Sequence, residues 1–142
     1  MPESSPIPTL LAFIVCDTVI QDAATQKRTL VGVFDRIASP KVPFPINNLG
    51  LYAKLVEGSG SYEMKVRLVN LKDESPVMEI KAAVQWNEPD KPMELGINFA
   101  GIPVTEFGTY EFQLYANEVF VGRAVVRADK LQLPPIGPER GD

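Results

Sequence analysis

Along most of this chain, apolar and polar residues alternate with a period of two, the pattern of strands that bury one face. Residues 10–21 predict a first strand. Its stretch 10–16 is apolar on both parities, so both faces there should be covered. A polar turn at 22–27 leads to a second strand over 29–37. Short connections join antiparallel neighbours, so these two should form a hairpin. Pro40, Pro43 and Pro45 then break the pattern. Proline donates no ladder hydrogen bond, which makes this segment a crossover or an edge. A third strand over 49–56 places Leu49, Leu51, Ala53 and Leu55 on one face. A fourth over 61–71 points Tyr62, Met64, Val66 and Leu68 inward, with Glu63, Lys65 and Arg67 outward. The alternation recurs over 77–87 and 93–100, then over 106–115 and 119–128. Asn117 suits the turn of the last hairpin, because asparagine tolerates positive φ. Gly122 marks a bulge or a close approach.

About eight strands, no sustained 3.6-residue period and Pro/Gly punctuation predict an all-β, antiparallel β-sandwich. The length of 142 residues suits one domain, placed at 10–128. Residues 1–9 read as a flexible Pro-rich arm and 129–142 as an extended Pro-rich tail.

Glu106, Gly108, Tyr110 and Phe112 together resemble the tyrosine corner of immunoglobulin-like sandwiches. That resemblance implies an Ig-like fold with the Tyr110 hydroxyl bonded back to the backbone. Phe112 stands where antibody domains place a cysteine, and Trp86 is too close in sequence to Tyr110 to be the usual strand-C tryptophan. Residues 16–20 (Cys-Asp-Thr-Val-Ile), Asp22, the run from Leu30 to Ile37, the Pro-rich crossover and the closing Gly108, Tyr110, Phe112 and Leu114 carry a second resemblance. Through them, residues 10–128 are similar to a family of small uncharacterised bacterial β-sandwich proteins. This implies a compact bacterial β-protein and transfers no activity, cofactor or site residue.

Composition narrows the chemistry. There is no His, which excludes imidazole bases, His-ligated zinc and His phosphotransfer. A single Cys excludes an intrachain disulfide and Cys-cluster metal sites. A net charge of −4 argues against nucleic acid as a partner. No apolar run approaches the ~20 residues of a membrane-spanning helix, so no membrane association is expected. The start of the chain lacks a basic n-region, and an unpaired thiol fits a reducing interior, so a cytoplasmic location is expected. No cofactor, metal site or small-molecule ligand is identifiable.

Asp17 and Asp35 interrupt apolar stretches on strands expected to pair. With the turn centred near Ala24 and Thr25, Asp17 should lie opposite residues 33–35, near Arg36. Asp17, Asp35 and Arg36 are therefore a candidate polar cluster, read either as an acid/base pair or as strand-end groups bonded to backbone and Arg. Asp73 with Glu74, and Glu88 with Asp90, lack the alternating acids of a calcium loop and read as solvated turns. Lys54, Lys65, Arg67 and Lys81 interleave with Glu63, Glu79 and Glu94 as a mixed solvated face. Cys16 reads as a buried structural thiol. The terminal Arg140-Gly141-Asp142 is short enough to arise by chance. Tyr52, Tyr115 and Phe120 fall on outward parities and form a candidate interface. The expectation is a non-enzymatic binding or assembly module that associates through sheet faces, edges and terminal arms with a protein partner or itself. The alternative is a small enzyme or ligand-binding protein that uses Asp17 and Asp35.

Overall fold

The inward positions of the two-residue pattern close against one another as two facing sheets in the computed structural model, which describes residues 5–132. The strands in chain order are β1 (Thr9–Gln21), β2 (Arg28–Val33), β3 (Arg36–Ser39), β4 (Phe44–Ile46), β5 (Leu49–Val56) and β6 (Gly60–Asn70). They continue with β7 (Ser75–Trp86), β8 (Met93–Phe99), β9 (Ile102–Val104), β10 (Gly108–Ala116) and β11 (Val119–Lys130). One sheet has the order β2-β1-β5-β8, the other β3-β11-β10-β6-β7, and β4 pairs with β9 as a short ribbon. With β5, β6, β8, β10 and β11 in the places of strands B, C, E, F and G, the pairing is that of immunoglobulin-like sandwiches. No helix among the described residues is long and apolar enough to cross a membrane.

The core follows the alternation. Leu49, Leu51, Ala53 and Leu55 of β5 face Tyr62, Met64, Val66 and Leu68 of β6, with Phe112 and Leu114 of β10 fully buried between the sheets. Interior space beside Tyr110 and Phe112 amounts to about 10 Å³, room for one water at most. Gly122 faces Leu114 across the β10–β11 ladder, and Leu10 of β1 occupies the volume a Cβ there would need. This close approach seats β1 on the second sheet's edge.

The tyrosine corner is formed. The Tyr110 hydroxyl donates to the Glu106 carbonyl at 2.7 Å and accepts from the Glu106 amide at 3.4 Å. Replacing Tyr110 by Phe leaves both backbone groups without this partner. Tyr110→Phe is expected to lower the unfolding free energy by about 1–2 kcal/mol, read from urea denaturation. A loss near zero would show that the corner is decorative.

Three expectations need correction. The predicted second strand over 29–37 is two strands. The Phe34 amide donates to the Val15 carbonyl in the first sheet, whereas the Asp35 carbonyl accepts from the Arg127 amide in the second. The chain changes sheets at these two residues, and β3 then runs parallel to β11. That pairing also absorbs the beginning of the expected tail: β11 runs on to Lys130, and the Leu131 amide bonds Ser39. The near half of the expected arm is docked, since Ser5 donates to the Ser61 carbonyl and the Tyr62 hydroxyl donates to that of Pro6. Residues 1–4 and 133–142, with the Arg140-Gly141-Asp142 motif, lie outside the described residues.

Candidate functional site

Part of the outer face of the first sheet is covered by its own chain. β1 bends after Cys16, so that its far half and β2 lie across β5 and β8. Glycines make the clearance. A Cβ at Gly50 would sit 3.0 Å from Cys16 Sγ and from the Thr18 backbone, and one at Gly96 would sit 3.0 Å from Val19. The hairpin is then fastened. Asn98 accepts from the Val19 amide at 2.8 Å and donates to its carbonyl at 3.0 Å. Arg28 pairs with Glu94 at 2.9 Å, and Glu94 also accepts from the Tyr52 hydroxyl.

This arrangement decides where the sequence-predicted residues go. Tyr52 points outward from β5 as expected, but it is half-buried in the fastening of the hairpin. Burial and the Glu94 carboxylate push its phenol up to about 12. It shares no surface with Tyr115 and Phe120, which stand on the outer face of the other sheet. Those two do meet, ring edge to ring face at 5.7 Å, with the Lys65 ammonium 4.8 Å over Tyr115. Lys65 is itself held by Glu118 at 2.6 Å, which pulls the Glu118 carboxyl below its ordinary range.

The polar cluster is not assembled around a shared centre. The β1–β2 register pairs Cys16 with Val33 and Thr18 with Val31, so Asp17 faces Gly32 and not residues 33–35. Gly32 takes φ 70°, and Asp17 fills the space its side chain would need. Asp35 is spent on the sheet change through its backbone. Arg36 pairs with Asp129 at 3.1 Å. Asp17 and Arg36 share an open depression with Asn48, but no hydrogen bond or ion pair among the described residues joins Asp17 to Asp35.

The buried carboxylate belongs to Glu111, which the alternation places outward. Gln113 donates to it at 2.8 Å and Arg123 at 3.4 Å. Its ladder neighbours Val69 and Val125 are apolar, and this outward apolar strip was the only sequence signal for its burial. Cys16 is fully buried and donates weakly to the Thr18 carbonyl; burial pushes its thiol up. The acidic loops are local turns: Asp73 accepts from the Ser75 amide, and Glu88 pairs with Lys91. No group of three metal-ligating side chains converges among the described residues.

Asp22 caps the hairpin turn by accepting from the Ala24 and Thr25 amides at 2.8 and 2.9 Å, which lowers its pKa. A depressed folded-state pKa stabilises above the unfolded value of about 3.9 and loses that contribution as pH falls through the folded one. Asp22→Asn keeps the acceptor and removes the charge. The wild type is therefore expected to exceed the variant in stability at pH 7, with the gap closing below about pH 4 in urea titrations.

Comparison with known proteins adds the following. The profile of a family of unknown function (DUF6941) matches residues 11–129. A search of curated proteins found no match. Among solved structures, the chain is similar to a β-glucosidase from Listeria innocua in complex with isofagomine, with 12% identity and a TM-score of 0.43. The match covers 68% of this chain and 15% of that one. It is also similar to an immunoglobulin-like protein from Pseudomonas aeruginosa, with 10% identity and a TM-score of 0.40 over 80% of this chain and 90% of that one.

Proposed function

The chain belongs to a family of unknown function (DUF6941), and on that premise we propose that it is a non-enzymatic binding or assembly module, cytoplasmic, that associates with protein through sheet faces and edges. The observation that carries this reading is Phe120. It stands 48% exposed against Tyr115 at the end of the sandwich where the docked segment 5–8 lies. Val119 and Ile7, 40% and 59% exposed, line one recess there, and Leu11, 57% exposed, flanks the Leu10–Gly122 contact. A rigid aromatic on an ordered strand, next to exposed aliphatic side chains, is the composition of a protein-binding patch.

Phe120→Ser tests it. Chemical cross-linking in cells that express the full chain is expected to give a defined higher-mass species with the wild type. The variant should give about tenfold less, at unchanged circular dichroism and melting. Equal cross-linking of both would overturn the patch as the contact.

A further inference from the structure

Among the described residues, both sheets end on the same side of the sandwich with strands paired along one edge only, β7 in one and β8 in the other. Between them opens an apolar crevice of about 220 Å³, walled by Ile80 and Ala82 of β7 and by Leu95 and Ile97 of β8, with Met64 at its floor. β7 is 12 residues long, with Pro76 near its start and two charges on its outer face, Glu79 and Lys81. A long edge with unpaired amides and carbonyls accepts another strand unless its side chains forbid it.

The side chains here forbid some registers and favour one. In an antiparallel ladder each residue turns its N–H and C=O to the same side, so outward groups meet only where even positions face even and odd face odd. Among self-pairings of β7, centring on Glu79 sets two glutamates against each other, and centring on Lys81 sets two lysines against each other. Centring on Ile80 opposes Glu79 to the partner's Lys81 and Lys81 to the partner's Glu79. On the inner face the same register brings Ile80 to the partner's Ile80 and Met78 to the partner's Ala82. Opposite charges directly across a ladder stabilise it, and like charges destabilise it.

Lys81 also makes no ion pair of its own among the described residues, although its charge helps to lower the pKa of the nearby Glu118 carboxyl. Its ladder neighbour is Lys65, which is already paired with Glu118, and Glu79 leans 3.6 Å from Arg67. Among the described residues no carboxylate lies within ion-pair distance of Lys81. A strand carrying the partner's Glu79 would supply one. We propose that a second copy of this chain docks on β7, antiparallel and two-fold about Ile80, making one continuous sheet across two protomers. Each protomer's inner face stays on the same side, so the partner strand covers the open flank of the crevice. The proposal rests on the reading of the chain as an assembly module but uses a different surface, so Phe120→Ser and the edge variants report separately.

Analytical ultracentrifugation of the full chain over a concentration series tests it. The wild type is expected to show a monomer–dimer equilibrium. K81E opposes glutamates at both symmetry-related positions and should weaken dimerisation about tenfold or more, as should E79K, which opposes lysines. The double swap E79K/K81E should restore the dimer, and mixing the two single variants should yield a heterodimer. Melting curves check that each variant is folded; if one single variant is not, the other carries the test. A wild type that stays monomeric to its solubility limit overturns the proposal, whatever Phe120→Ser does. A dimer that ignores the charge changes, or is not restored by the swap, overturns it equally.

Discussion

Phe112→Ala is expected to lower the unfolding free energy by about 3–5 kcal/mol, the largest effect of any single truncation considered. Phe112 has no exposed surface and stacks on Phe99 across the sandwich, with ring centroids 6.2 Å apart at 23°. Its ladder neighbours Leu68 on β6 and Ala124 on β11 set it at the middle of the second sheet, and Phe99 of β8 brings it against the first. The void beside it is only about 10 Å³, which means the ring fills its site. Alanine would leave a cavity that strand backbones, fixed by ladder hydrogen bonds on both sides, cannot collapse to fill. The denaturant midpoint should fall with little change in slope. A loss below about 1 kcal/mol would mean that the two sheets do not meet at this ring.

Gly50→Val is expected to destabilise by about 2–4 kcal/mol and to unmask Cys16. Valine is a good strand former, so backbone propensity alone predicts a gain. The loss comes from above the sheet. The first carbon of any side chain at position 50 meets the Cys16 sulfur and the Thr18 backbone at 3.0 Å, and the two valine methyls press further into them. The hairpin must lift, which loosens the Asn98 bonds to Val19 and the Arg28–Glu94 pair. In the native protein, a thiol-specific reagent should react with Cys16 only on global unfolding. In the variant, the reaction should run at a local-opening rate well above that. Unchanged protection together with unchanged stability would show that the hairpin does not rest on Gly50.

These contrasts show how far the sequence could be read. The inward sets on β5, β6 and β10 and the tyrosine corner were legible, because a strand's side-chain period is fixed by its backbone. The burial of Cys16 was legible from the apolar run in which it stands, but the expected cover on both faces of 10–16 holds only at its far end, at Val15 and Cys16, since Leu11 is 57% exposed. Asp17 and Asp35 were misplaced by a register error of one to three residues. Register depends on the turn's hydrogen bonds, here set by Asp22 and by the positive φ of Gly32, and strand periodicity carries no information about that. Tyr52 had the parity of an interface residue, and its face is instead occupied by the folded-over hairpin. Glu111 had the parity of a solvated residue. It is buried because Arg123 and Gln113 reach it from neighbouring positions.

What the sequence determined by itself is therefore the long strands of the two sheets, the inward sets of β5, β6 and β10 and the absence of imidazole and thiol-cluster chemistry, since these follow from side-chain identity and a two-residue repeat. The tertiary structure alone decided where β1 bends, which outer face is covered and which edges stay open. Those outcomes depend on clearances at Gly50, Gly96 and Gly122 between segments up to about a hundred residues apart in the chain. A glycine's missing side chain becomes informative only when the neighbour that takes its place is known.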